Sequence, residues 1–445
     1  MFCNMQFFSY FWHSNGTLME KHRTNVLMIC CFLSFGLLLP ASVRAQSTDS
    51  VPQEGGLVHR IEIEADPSLI LHTNKFLKGK NIEGRTMNHA FSAKLKYAFQ
   101  LPQNSMESIV YKDAYQGVGV AFHDFNPELG YPVSFFIFQG ARIKSLSSRL
   151  SLNYEWNLGL TSKWKPYDPV NNPDNKVIGS KVTAYIDLDF YFKYRLSRFV
   201  DLNAGLTLTH FSNGNTKIPN AGLNILGAKL GLAYYINRQE EKKVSQKDIP
   251  PFQKHISYDL VFYGAWRRQG YYTDVGPVLL PGSYGVFGFN FNPLYNINHW
   301  LNAGISLDGV YDRSANLTLD EVTSSSSDTG DGGPHVSYPS AHRQMALGLS
   351  ARAEFIMPYF TINFGMGNNI IGAKGDMKQW YQLLALKLGV TRHTFIHIGY
   401  CLHNFRNRRH NTCRKAEHSS VEAWICLSFY KKHCRRSDCC PEKRQ

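Results

Sequence analysis

The sequence predicts an all-β fold, an antiparallel transmembrane β-barrel of the outer-membrane type. Three features predict it: alternating apolar and polar residues, alternating short and long connections, and an N-terminal export signal. The chain has 445 residues, 43% hydrophobic and 18% charged, which excludes a disordered or fibrous protein. After residue 45 no apolar run reaches the roughly 18 residues of a transmembrane helix, which excludes a helical membrane protein. A transmembrane β-barrel is not excluded, because its strands alternate apolar and polar residues and contain no such run.

Residues 1–45 are predicted to hold a secretory signal peptide behind an over-extended start. Lys21 and Arg23 form its basic region, residues 26–39 its apolar core, and the small residue Ala45 its cleavage site. Because such a segment is removed during export, we expect the mature protein to begin just after it, outside the cytoplasm.

Period-two alternation predicts the strands. In residues 150–160 the even positions are Leu, Leu, Tyr, Trp, Leu and Leu, and the odd positions are Ser, Asn, Glu, Asn and Gly. Residues 182–192 alternate in the same way. One apolar face and one polar face suit a strand between lipid and water. Because the polar face is rich in small residues, the pattern favours a narrow hydrated barrel interior over a solvent-facing sheet.

The connections between these segments alternate in length. Turns near 196–198 and 357–358 are short, whereas 162–178 and 313–341 are long and polar. Outer-membrane barrels have short periplasmic turns and long outer loops. Roughly 14–16 strands of about ten residues are predicted.

A charged, proline-bearing linker divides the predicted strands. The sequence leaves open whether the strands on its two sides close one large barrel or two small ones. The predicted regions are a first barrel region at 46–237, the linker at 238–254, further barrel strands at 255–405 and a basic tail at 406–445.

Charge and cysteines are concentrated in that tail. The net charge is +14, but half of the excess lies after residue 405, so we expect no nucleic-acid partner. No cysteine occurs between residues 32 and 400, so the body folds without disulfides. No CxxC pair has zinc-finger spacing, and we expect no metal and no cofactor. The tail is predicted to follow a shifted reading frame near residue 406; the alternative is a genuine tail with a last strand at 421–430.

A cluster of polar residues interrupts the lipid-facing side of the strand predicted at 200–212. By parity His210 and Ser212 face outward, and Asn224 on the next strand faces outward beside them. A histidine beside a serine supplies the base and the nucleophile of acyl transfer. Asn224 is positioned to accept the other imidazole N–H and so fix the tautomer. In the loop between the strands, Asn213 and Asn220 are candidate donors to an oxyanion.

No carboxylate completes this cluster. Asp187, Asp189 and Asp201 all face the lumen by parity, so none reaches the histidine without a shift of register. The alternative interpretation, that His210 is simply a polar residue at the end of a strand, therefore stays open at this point.

The segment His-Phe-Ser-Asn-Gly, followed by Pro-Asn and a pair of small residues before the next strand, resembles the lipid A 3-O-deacylase family of eight-stranded outer-membrane esterases, including relatives described as acyloxyacyl hydrolases. The resemblance covers roughly residues 57–237, with its specific part at 209–224. It implies a Ser/His/acid hydrolase that removes an ester-linked acyl chain from lipid A of lipopolysaccharide in the outer membrane of a Gram-negative bacterium.

The resemblance also assigns roles. It implies that His210 is the general base, Ser212 the nucleophile, and Asn213 or Asn220 an oxyanion donor. The family has a glutamate where this chain has Asn224, which predicts reduced activity. The alternative function is a non-enzymatic pore or adhesin barrel with an impaired site.

Overall fold

The computed structural model describes most of the chain between residues 56 and 432. The described residues are 56–102, 105–213, 217, 219–238, 251–267, 270–273, 276–279, 283–319, 336–372, 374–378, 380–391, 394–403 and 426–432. The predicted signal peptide, most of the linker and most of the tail lie outside them.

The first half of the described chain forms a closed barrel of eight strands, β1 to β8. Each strand pairs antiparallel with its neighbours in the chain, and β1 pairs with β8 to close the ring. The strands are β1 (Val58–Ile70), β2 (His89–Gln100), β3 (Tyr115–Asp124), β4 (Val133–Ser145), β5 (Leu150–Ser162), β6 (Thr183–Arg195), β7 (Val200–Ser212) and β8 (Leu223–Tyr235). A short helix, α1 (Met106–Val110), lies between β2 and β3.

A second closed barrel of eight strands follows. Its strands, in order around the ring, are β9 (His255–Arg267), β12 (Tyr284–Asn298), β13 (Leu301–Asp312), β16 (Met345–Ile356), β17 (Phe360–Ile371), β18 (Trp380–Gly389), β19 (Thr394–His403) and β20 (Cys426–Lys432). Two small hairpins, β10 (Gly270–Thr273) with β11 (Gly276–Leu279) and β14 (Thr318–Leu319) with β15 (Val336–Ser337), belong to its long connections. The chain thus folds as two small barrels.

The last strand lies within the tail that the sequence assigns to a shifted frame. β20 pairs with β19 on one side and with β9 on the other, and so closes the second ring. The frame shift itself concerns the coding sequence and stays a prediction.

The predicted alternation is present along the strands. In β8 the odd positions from Leu223 to Tyr235 are buried, and the even positions from Leu226 onward are exposed. Outward leucines on β7 keep much of their surface, 62% for Leu206 and 48% for Leu208. Apolar side chains exposed in a continuous band are typical of a lipid-facing surface. None of the helices among the described residues combines the length and the apolarity that a membrane span requires.

The two ends of each barrel differ. In the first barrel β5 and β6 are joined by residues 163–182, and β6 and β7 by only 196–199. In the second barrel residues 299–300 alone join β12 to β13, whereas residues 313–344 join β13 to β16. We call the end with the 163–182 and 313–344 connections the loop end, and the end with the 196–199 and 299–300 connections the turn end.

The lumen of the first barrel is filled by charged side chains. Lys229 Nζ lies 2.6 Å from Glu64, 3.2 Å from Glu155 and 2.5 Å from Asp189. These three carboxylates are the one cluster of metal-ligand type found among the described residues, and the ammonium group of Lys229 lies between them. Buried charges are tolerated when they are paired in this way.

Candidate active site

Three polar side chains lie on the outer surface of β7 and β8 at the loop end. His210 is directly opposite Asn224 in the β7–β8 register, and Ser212 is opposite Ala184 of β6. All three are partly buried, between the exposed leucines below and the loops above. Their neighbours Phe211 and Leu223 are fully buried on the lumen side. The alternation of both strands therefore directs the three polar groups outward.

The imidazole is held by the amide. His210 Nδ1 lies 2.6 Å from Asn224 Oδ1, and since this oxygen can only accept, the contact places the proton on Nδ1. Nε2 is then left as the basic nitrogen. Among the described residues no hydrogen bond joins His210 to Ser212. Two residues along a strand are separated by about 6.6 Å at Cα, and apo geometry of catalytic pairs is often loose.

Gly222 leaves the space that these side chains occupy. Its φ is +73°, a backbone conformation that glycine adopts readily. A Cβ atom there would lie 3.1 Å from His210 Cε1 and 3.7 Å from the Ser212 Cβ. The position therefore touches both the proposed base and the proposed nucleophile. The sequence motif has a small residue at this position, but the sequence alone predicted no role for it.

The long β5–β6 connection holds this glycine in place. The N–H groups of Ala221 and Gly222 donate to the carbonyls of Lys176 and Val177, at 3.0 and 3.1 Å. Asn175, which is fully buried, shapes this accepting segment: its Oδ1 accepts the N–H of Val177 at 3.1 Å and that of Ile178 at 3.0 Å. Sequence reasoning missed Asn175, because an asparagine in a long polar loop carries no signal of its burial.

The two predicted oxyanion residues contact each other. The Asn213 backbone N–H donates to Asn220 Oδ1 at 3.1 Å, and the Asn213 side chain donates to the Lys217 carbonyl at 2.7 Å. These bonds join described residues of the β7–β8 loop beside Ser212. In this arrangement the backbone N–H and the side-chain amide of Asn213 both donate within the loop. The oxyanion role of Asn213 and Asn220 stays a prediction.

Aromatic rings support the site from the lumen side. Phe211, between His210 and Ser212 in the chain, packs against Trp164 at 5.2 Å, His123 at 5.1 Å and Tyr185 at 5.6 Å between ring centroids. Such close packing fixes the backbone that carries the outward groups.

No carboxylate joins the outward cluster among the described residues. Asp187 lies in the lumen, where Thr207 and Thr209 donate to it at 2.6 and 2.8 Å, and Asp189 and Asp201 are buried on the same side. The position of the third group therefore belongs to the neutral Asn224. The arrangement offers a base, an alcohol and an orienting amide on a surface that faces lipid.

Comparisons with solved structures find outer-membrane barrels of low similarity. Neisserial surface protein A is 11% identical, with 40% of this chain and 99% of that chain covered and a TM-score of 0.26. The Acinetobacter baumannii outer membrane protein Omp33 is 8% identical, with 85% and 100% covered and a TM-score of 0.15. TM-scores this low add nothing to the fold, which rests on the strand pairing. A comparison with curated protein sequences found no match.

Two family models match the chain, one on each barrel. Residues 91–233 match the model described as lipid A 3-O-deacylase (PagL), and residues 256–407 match the acyloxyacyl hydrolase C-terminal domain. The second match reaches beyond the stretch in which the sequence motif lies, so the family resemblance extends to both barrels. Because the matches together span about two thirds of the chain, this outer-membrane protein belongs to the lipid A 3-O-deacylase family of ester hydrolases.

Proposed function

We propose that the chain removes an ester-linked acyl chain from lipid A by a Ser212/His210 mechanism at the outward site of β7 and β8. The observation that carries the proposal is the 2.6 Å contact between His210 Nδ1 and Asn224 Oδ1. In the neutral imidazole this contact places the proton on Nδ1 and leaves the lone pair of Nε2 on the same face as Ser212, which is what a general base beside a nucleophile requires.

The reaction follows from these groups. Ser212 Oγ attacks the ester carbonyl while its proton passes to His210 Nε2, which gives a tetrahedral oxyanion. When the oxyanion collapses, the sugar oxygen leaves with that proton, and the acyl chain stays bound to Ser212. A water molecule, deprotonated by His210, then attacks the acyl-enzyme and releases the fatty acid, so the serine regains its proton.

Asn224 positions the imidazole and lowers the rate that it supports. Its oxygen fixes the tautomer, but a neutral amide does not stabilise the imidazolium that forms in the transition state as a carboxylate does. In a catalytic triad, exchange of the acid for an amide costs about 10⁴-fold in rate because the amide also leaves the imidazole in the wrong tautomer; here the tautomer is kept, so the loss is smaller than that. We therefore propose a slow esterase.

The location of the site suits a lipid substrate. The three groups lie at the loop end, and outer-membrane barrels direct their long loops to the outside. Below them the outward leucines 206, 208 and 226 remain exposed, so an acyl chain of an outer-leaflet lipid can lie along β7 and β8 while its ester reaches Ser212. Polar groups on such a face cost free energy unless they have a role there.

Ser212→Ala tests the proposal. We expect cells that express the full chain to release a hydroxy fatty acid from lipopolysaccharide, visible as a lower lipid A mass, and Ser212→Ala to abolish the change. Ser162→Ala, an outward serine at the same end of β5, is the matched control and should act like the wild type. Unchanged release by Ser212→Ala would exclude Ser212 as the nucleophile.

A further inference from the structure

Part of the outer surface of the second barrel is buried. In β17 the buried Asn363 faces the lumen, and in β18 the partly buried Lys387 does, so Phe360, Leu386 and Leu388 face outward. Their exposed fractions are nevertheless 3%, 5% and 8%, whereas outward side chains nearer the loop end of the same strands are 55% exposed, namely Met366 and Trp380. Something other than lipid covers the turn end of this face.

The first barrel supplies the covering residues. Ile137 of β4 and Trp156 and Leu158 of β5 pack against the cluster of Phe360, Leu386 and Leu388. The Trp156 and Phe360 rings meet edge to face, with centroids 5.4 Å apart. We call these six residues the seam. All six residues of the seam lie within one compact unit of the chain.

A buried glutamine marks the same surface. Gln139 faces outward on β4, directly opposite Trp156 in the register, and has no exposed area. An amide turned toward hydrocarbon is costly. Its complete burial beside Trp156 indicates that protein, rather than lipid, covers this part of β4.

Further contacts between the barrels lie at their turn ends. Tyr111 OH donates to the His299 carbonyl at 3.3 Å, and the Phe99 and Tyr359 rings meet at 5.5 Å. Residues 101–114, 299–300 and 357–359 all join strands at turn ends. Because each barrel has an even number of strands, its first strand begins and its last strand ends at the same end. β8 therefore ends at the turn end of the first barrel, and β9 begins at the turn end of the second. Both barrels therefore cross the membrane with the same orientation.

We infer that the two barrels lie side by side in the outer membrane, joined along the seam so that lipid is excluded between them. In a bilayer such an interface is held by van der Waals packing of complementary side chains, and the aromatic contact of Trp156 with Phe360 supplies its centre. β7 and β8 are separated from the seam strand β5 by β6, so the second barrel leaves the His210 face open to lipid. The inference does not depend on the esterase mechanism.

Photo-crosslinking of the full chain tests the seam. A protease site is inserted in the linker between residues 239 and 250, and p-benzoylphenylalanine is introduced in place of Trp156. Isolated outer membranes are irradiated, solubilised in mild detergent, and cleaved in the linker. We expect the two halves to remain covalently joined at the full-length size. Phe190→p-benzoylphenylalanine, at an outward ring that is 51% exposed on β6, is the matched control and should yield separate halves.

Heat-modifiable mobility on gels checks that both variants are folded. A folded Trp156 variant whose halves separate, or a Phe190 variant that joins them equally well, would overturn the inference. If the Trp156 variant fails to fold, Leu158→p-benzoylphenylalanine provides the second position on β5, with the same two outcomes.

Discussion

At the scale of single residues, the site depends on one hydrogen bond and one glycine. The bond from His210 to Asn224 orients the imidazole, and Gly222 leaves room beside it because it has no side chain. What the cluster lacks is charge. Among the described residues no carboxylate lies on the outward face near His210, and the nearby aspartates are committed to the lumen.

Asn224→Glu is expected to increase esterase activity. A carboxylate opposite His210 would accept its Nδ1 proton, as Asn224 does, and would also stabilise the imidazolium, so kcat should rise, by less than the roughly 10⁴-fold effect of an exchange that also reverses the tautomer. Release of fatty acid from purified lipopolysaccharide by the detergent-solubilised chain measures it. Asn224→Gln keeps a neutral amide and is the control without gain. Equal rates for the glutamate variant and the wild type would argue against a catalytic role for this cluster.

At the scale of elements, the β5–β6 connection acts as a support for the β7–β8 loop. Its residues 176 and 177 accept the N–H groups that precede β8, and Asn175 orders them from a fully buried position. A buried asparagine in the β5–β6 connection therefore helps to fix the backbone around Gly222.

Asn175→Ala should lower activity more than it lowers stability. It leaves the N–H groups of Val177 and Ile178 without their acceptor, at a cost of about 1–3 kcal/mol for each buried unsatisfied group. That cost falls on the loop, so the site loosens while the barrel stays closed. Rates of fatty-acid release and the temperature of barrel unfolding measure the two effects. Asn171→Ala, an exposed asparagine in the same connection, should leave both unchanged; a parallel loss in the two variants would contradict the prediction.

The strands of the first barrel are joined from inside by a second set of contacts, the buried ion pairs. Besides the Arg238–Asp201 pair, the described residues of this barrel hold a network of buried carboxylates and cations, in which the cations are shared among several partners: Glu62, Glu64, Asp66, Glu155, Asp187, Asp189, Arg60, Lys94, Lys96 and Lys229. Lys229 of β8 connects β1, β5 and β6 through three of these carboxylates, which ties strands across the lumen.

Lys229→Met is expected to destabilise the barrel by about 3–5 kcal/mol, the usual cost of removing one partner of a buried ion pair. The three carboxylates would then face one another without their shared cation. Urea unfolding in detergent micelles, followed by gel mobility, measures the loss. Lys75→Met, at an exposed loop lysine, is the control. A wild-type midpoint for Lys229→Met would show that the network adds nothing to stability.

At the scale of the whole molecule, the described residues place polar side chains in both lumens. In the second barrel Arg352 and Tyr381 bind Asp308 at 2.7 and 2.5 Å, and Lys387 contacts Glu354 at 3.1 Å. In the first barrel the ion-pair network lies below the packed aromatic rings of the loop end. Eight-stranded barrels have interiors just wide enough for side chains.

We therefore expect no steady ion conductance from the protein in planar bilayers. The prediction separates the esterase from the alternative of a pore. The protein is delivered to the bilayer from lipid vesicles, and its folded state is checked by recovering the barrel from those vesicles and testing its heat-modifiable mobility. Reproducible single-channel steps from folded, inserted wild-type protein would contradict it and would favour the pore.

Local pattern in the sequence was enough to predict strands, export and the outward direction of His210, Ser212 and Asn224, because side chains of a strand alternate with period two whatever the strand pairs with. The family motif was likewise visible in a short segment. Only the tertiary structure decided that β8 pairs with β1 rather than with β9, and hence that there are two barrels. It also decided that Gly222 lies against His210, and that Phe360 lies against Trp156. Strand closure and these contacts join residues far apart in the chain, and no periodicity along the sequence encodes which distant edges meet.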